Sequence, residues 1–169
     1  MTFAASPEAE SDFAAAAPTG FDEARAAELR AANINPRTGL ATDYLNHFNE
    51  AIMLLEMIPD MPECTEDFLS WQPLSYAEHF TASNFKARDL AIEAYEKADP
   101  SVRARFDHIT QTLHSILTAV GTAMREVEKD QTRIKLAEQA TLWVQPLIAA
   151  CGGVIHGGAD ADVETIMAN

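Results

Sequence analysis

Glycine is scarce in this chain, with seven among 169 residues, and the β-branched, turn-punctuated rhythm of an all-β domain is missing. There are two cysteines, Cys64 and Cys151, far apart and in no CxxC arrangement, so neither a disulfide scaffold nor a Cys-based zinc motif is indicated. No apolar run reaches the roughly 18 residues that a membrane span needs. The first residues, MTFAASPEAESDF, have neither a basic segment nor a continuous apolar one, so they do not form a secretory signal. These absences lead us to expect free thiols and a cytoplasmic protein.

Basic residues are also few. Twelve Lys and Arg stand against 26 Asp and Glu, for a formal net charge of −14. Nucleic acid and anionic membranes both require a basic footprint, and this balance argues against either partner. No Lys or Arg lies between Arg37 and Lys86, where eight acids do. An acidic face of this kind suits a basic protein partner or a cation, although plain solubility explains it as well.

Long stretches are instead rich in Ala, Leu and Glu, with Gln and Met among them, in a chain that is 47% hydrophobic. That composition favours helices, and the length is enough for one domain with its own core. Residues 1–20 read as an Ala/Pro/Ser-rich tail with little to bury, whose bulky apolar residues are Phe3 and Phe13. Residues 21–33 read as a short helix stopped by Pro36. A second helix runs over 43–58, with Thr42 or Asp43 as its cap, and Pro59 ends it.

A connection with three prolines follows, PDMPECTEDFLSWQP, with room for one helical turn. Ser75 with Glu78 forms a capping box that opens a helix over 75–98. The next helix runs from Asp99 or Ser101 to about 129, with apolar residues at helical spacing from Val102 to Val127. The last helix runs from 130–132 to about 150. Pro146 is expected to kink or end it, and CGGVIHGG stops it. The fold class that follows is all-α: an antiparallel four-helix bundle with an additional short N-terminal helix. Its domain spans 21–152, and 153–169 is a short C-terminal tail.

One stretch raises a question of chemistry: DYLNHFNEAIMLLEM, residues 43–57. On a helical wheel Tyr44, Leu45, Phe48, Ala51, Ile52, Leu55 and Ile58 share the core arc. Asp43, His47 and Glu50 line one flank of it at i,i+3 and i,i+4 spacing. Imidazole plus two carboxylates on one face suits zinc, iron or manganese, and His79 on the following helix is a further candidate ligand. His114 lies at a core edge of a later helix. The competing reading is that His47 hydrogen-bonds two helices together. The order His-x-x-Glu also reverses the Glu-x-x-His of di-iron bundles and occurs only once.

Other chemistries have less support. His108 is exposed, but Asp107 beside it would repel a phosphoryl group. Cys64 lies among acids that raise a thiol pKa, and Cys151 lies near a helix C-terminus. Neither G-x-S-x-G nor a phosphate loop is present. Trp71, Phe68 and Tyr76 around the proline-rich connection either plug the bundle end or line a pocket. Two functions of different class follow. One is association, as a homo-oligomer or as a regulatory module that meets a basic partner through the acidic 43–67 surface. The other is a metal-binding bundle with ligands from Asp43, His47, Glu50 and His79.

Overall fold

A computed structural model describes residues 20–158. Seven α-helices account for most of them: α1 Gly20–Ala31, α2 Leu45–Met57, α3 Thr65–Ser70, α4 Tyr76–Ala82, α5 Arg88–Glu96, α6 Pro100–Glu126 and α7 Asp130–Ile155. Two 3-10 turns, Thr42–Tyr44 and Pro62–Cys64, lead into α2 and α3. Among the described residues the only extended pairing is a bridge between Ile34 and Ala41. Among the described residues no helix is long and apolar enough to cross a membrane. The tail expected over 1–20 and the C-terminal stretch 159–169 lie outside the described residues, apart from Gly20.

The α6–α7 hairpin is the largest element. Asp99 caps α6 by accepting from Ser101 N–H at 2.9 Å, and Pro100 occupies the first turn, where its missing N–H costs nothing. Phe106, Ile109, Leu113, Leu117, Val120 and Met124 then bury one stripe. The matching stripe of α7 is Ala137, Ala140, Val144, Leu147, Cys151 and Val154. Each fully buried large apolar side chain contributes about 1.5–3 kcal/mol of transfer free energy. A short turn makes the two helices antiparallel. Arg133, from the first turn of α7, donates to the carbonyls of Met124 and Val127 and so satisfies the end of α6.

Helix α2 lies antiparallel along α7. Its Leu45 is 3.8 Å from where a Cβ on Gly152 would stand, and its Glu56 accepts from Gln145 Nε2 at 3.2 Å. Pro146 does not end α7. It is exposed, so the carbonyl it leaves without a donor faces water, while Val154 and Ile155 beyond it are buried and hold the helix to Ile155.

The single helix expected over 75–98 is two. The capping box at Ser75 and Glu78 is present in both of its bonds. The chain then turns extended at Ser83, whose hydroxyl donates to Phe80 O and accepts from Phe85 N–H. A side chain that offers the backbone such partners competes with the helix. The break lets Phe85 fold back on Phe80, ring to ring at 5.3 Å.

The loop from α1 to α2 is held against α5 by Gly39. Its φ is +73°, and a Cβ there would stand 2.6 Å from the carbonyl oxygen of Ala94. Both the backbone conformation and the space require glycine. We predict that Gly39→Ala destabilises the protein by about 2 kcal/mol or more, read as a lowered denaturant midpoint with an unchanged slope. A loss under about 0.5 kcal/mol would show that the loop moves away from α5 without strain.

Candidate functional site: a histidine seam

The 43–57 stretch meets three other parts of the chain at His47. Its ring is 4% exposed, inside the core rather than on its flank. It lies nearly parallel to Trp71 at 4.6 Å and to Tyr44 at 5.7 Å. Trp71 comes from the proline-rich connection, and its indole Nε1–H donates to His47 O at 3.1 Å. Three residues on, the backbone N–H of Leu74 donates to His47 Nε2 at 3.0 Å. The carbonyl of the same residue accepts from the Tyr44 hydroxyl at 2.6 Å. Both polar groups of Leu74, in a segment with no helix of its own, are thus satisfied by side chains from the start of α2.

His114, on α6, completes the group. Its Nε2 lies 3.2 Å from His47 Nε2. A backbone N–H is always a donor, so His47 Nε2 carries the lone pair and its ring proton sits on Nδ1. The proton between the two rings therefore belongs to His114. A proton on His47 Nε2 would point at the Leu74 N–H.

Electrostatics agree with this bonding. Burial, then the neighbouring His114 and His79, push His47 down to about 4. Burial also lowers His114, with Glu78 acting the other way. The His47–His114 pair is accordingly uncharged at neutral pH.

The remaining candidates form a second pair. His79 Nε2 lies 3.0 Å from Asp43 Oδ2, and Asp43 Oδ1 accepts from Asn46 Nδ2 at 3.3 Å. Asp43 therefore does not cap α2. The His79 ring is 6.2 Å from that of His47, and Tyr44 touches both. Glu50 is exposed and shares no hydrogen bond or ion pair with these groups. Glu78 is occupied by the capping box, which holds its carboxyl below the usual range.

The structure thus brings His47, His79 and Asp43 to one seam, adds His114 and Trp71, and leaves Glu50 at the surface. Among the described residues no group of three or more His, Cys, Asp or Glu is arranged to hold a metal ion. Cys64 and Cys151 are free, buried thiols, and burial pushes Cys151 up to about 12.

His114 was legible as a core-edge residue of its helix, but its meeting with His47 is set by how α2 and α6 pack. Trp71 gave no sequence signal for its bond to a helix carbonyl. Comparisons with protein-family models, with curated proteins and with solved structures find no match.

The seam predicts a pH dependence. The unfolded chain binds a proton on His47 near pH 6.5, whereas the folded chain resists it down to about pH 4. Stability is therefore whole above the unfolded value and falls as pH drops from about 6.5 toward 4, by roughly 2–3 kcal/mol for this one group. Denaturant unfolding at pH 7 and pH 4.5 should show this loss, and His47→Gln should remove most of the difference. Equal stability of the wild-type protein at both pH values would contradict the proposed tautomer and burial.

Proposed function

We propose that this chain acts by association, as a helical module that receives a basic, partly apolar protein segment on the joined outer faces of α2 and α7. What supports the reading is the Gln145–Glu56 hydrogen bond, which makes two exposed stripes into one surface. On α2 the stripe runs Asn46, Glu50, Met53 and Glu56, with Asp60 in the turn just beyond the helix, all exposed. On α7 it includes Leu142, one turn before Gln145, while Trp143 lies on the side of α7 away from α2.

Leu142 is 67% exposed, Met53 53% and Trp143 44%, which is unusual for side chains of this size. Exposed Met53 and Leu142 beside the carboxylates of α2 suit an amphipathic basic helix: the apolar side chains supply adaptable contact and the acids set the sign of the partner. Charge also decides against a second copy as the principal occupant, because two chains of net charge −14 repel.

In this reading α2, α4 with α5, α6 and α7 serve as the four legs of an antiparallel bundle, with α1 as the extra helix, and the setting is the reducing cytoplasm. The hydrogen bonds of the histidine seam hold this scaffold.

A labelled Lys/Leu amphipathic helical peptide tests the proposal by fluorescence anisotropy. We expect micromolar, salt-sensitive binding, weakened roughly tenfold or more by Leu142→Glu or Met53→Glu. Binding that both variants leave untouched would rule out this face. A dimer in light scattering that Leu142→Glu dissociates would assign the face to a second copy instead.

A second reading, metal binding, is favoured by one distance. The 3.2 Å between His47 Nε2 and His114 Nε2 is close to the separation of two imidazoles on one tetrahedral ion, about 3.3 Å from bonds of about 2.05 Å. Both imidazoles are neutral, so coordination needs no net loss of a proton, only transfer of the His114 proton from Nε2 to Nδ1. His79, oriented by Asp43, is the nearest further donor. Zinc, iron or manganese would have to displace the Leu74 N–H from His47. Elemental analysis of protein purified without chelator decides this: a near-stoichiometric metal lost in both His47→Ala and His114→Ala supports the site, and no metal in the wild-type protein removes it.

A further inference from the structure

The C-terminal ends of α1 and α7 meet across the loop that precedes α2. A concavity of about 500 Å³ opens between them, with half-buried Pro36 as apolar lining over the buried Ile34, Leu40 and Ile155. Its charged lining is Arg30, Arg37 and His156, without one carboxylate. In a chain of net charge −14 that is a marked local reversal.

The simplest explanation for cations at this place is helix capping, since Arg at a helix C-terminus offsets unsatisfied carbonyls and the dipole. The bonding leaves little room for it. At the end of α7, Gly153 O accepts from Gly158 N–H and Val154 O from Gly157 N–H, while Gly157 takes a φ of +78°. Gly152 O accepts from His156 N–H, and Ile155 O from the Thr38 hydroxyl at 2.7 Å.

Helix α1 ends in the same way. Leu29 O accepts from Ile34 N–H and Arg30 O from Asn33 N–H, with Asn33 at φ +60°. The terminal carbonyls named here are satisfied without either arginine. The two helix ends amount to roughly one negative charge together, against two full positive charges from Arg30 and Arg37.

Arg37 is nonetheless held in place. Its Cζ lies 3.6 Å from the Cβ position of Gly157, and its own N–H donates to Asn35 Oδ1 at 2.9 Å. Among the described residues neither the Arg30 nor the Arg37 guanidinium has a hydrogen-bond or ion-pair partner. The donors of two planar forks are free at the rim of a concavity with an apolar lining.

We propose that this concavity is a binding site for a small molecule with an apolar body and an oxyanion head, an organic phosphate or carboxylate. Arg30 and Arg37 take the oxyanion, as bidentate forks do, and the body rests on the Pro36 ring and the aliphatic stems of the two arginines. His156 borders the same opening and can donate to the head.

Titration calorimetry on the full chain tests this with phenyl phosphate and benzoate as the two oxyanion probes and benzyl alcohol as the uncharged control. The expected result is that at least one oxyanion binds and the alcohol does not, with the stronger of the two naming the head group. Arg37→Ala and Arg30→Ala should each weaken binding roughly tenfold, the equivalent of one charge-assisted hydrogen bond, while Arg103→Ala, elsewhere on the surface, leaves it unchanged. The acidic residues Asp160, Asp162 and Glu164 follow soon after His156 in sequence, so the same titrations are made on the variant carrying Asp160→Asn, Asp162→Asn and Glu164→Gln. Failure of both oxyanions to bind either protein would overturn the proposal, as would binding indifferent to Arg30 and Arg37.

Discussion

The middle of this chain depends on the hydrogen bond from the Leu74 backbone to the His47 ring. Leu74 lies between Pro73 and Ser75 in a stretch that makes no helix, so its peptide groups have no local partners. Burying them unpaired would cost a few kcal/mol each. His47 takes the N–H and Tyr44 the carbonyl, and Trp71 repays the arrangement by bonding the backbone of His47 itself. Once that segment is pinned, the start of α4 is fixed beside α2. The Asp43–His79 pair and the Tyr76 hydroxyl, which accepts from Ala41 N–H at 2.9 Å, then fall into register.

This dependence explains why so polar a stretch sits in the core. A neutral imidazole with one committed lone pair behaves as a flat aromatic surface with a single acceptor. The near-parallel stacking on Trp71 and Tyr44 uses the surface, and Leu74 uses the acceptor. His114 brings a second donor to the same nitrogen, from the helix that carries most of the core, and shares its one lone pair with Leu74. The seam is therefore a joint among α2, the 71–74 connection and α6, and its low affinity for protons follows from the same burial.

Chemistry left uncommitted lies at the surface, and it is segregated by sign. Carboxylates and exposed Met53 lie on the outer face of α2, next to exposed Leu142 of α7. Arg30 and Arg37, which have no hydrogen-bond or ion-pair partner among the described residues, lie at the C-terminal end of α7, where two helices terminate with the carbonyls named above already satisfied. A net charge of −14 is thus not spread evenly, and one module can present two surfaces of opposite preference.

Much of the architecture was written in local patterns. Helical spacing marked α6 almost residue by residue, because an amphipathic stripe repeats wherever one face meets a core. Ser75 with Glu78 announced the start of α4, since a capping box is closed within four residues. Other features were not local. Ser83 breaks a stretch whose composition favours helix, because Phe85 gains more by turning back on Phe80 than by continuing. Pro146 fails to stop α7, because the burial of Val154 and Ile155 outweighs one lost bond on a wet face.

The opening stretch divides in the same way. Sequence alone determined that Asp43 and His47 stand four residues apart at the entry to a helix, beside its core arc, since that spacing needs nothing beyond the local pattern. Tertiary structure decided that His47 turns to His114, Trp71 and Leu74, that Asp43 turns to His79, and that Glu50 stays in water. Those partners lie between 24 and 67 residues away along the chain, and only the packing of separate helices brings them within hydrogen-bonding reach.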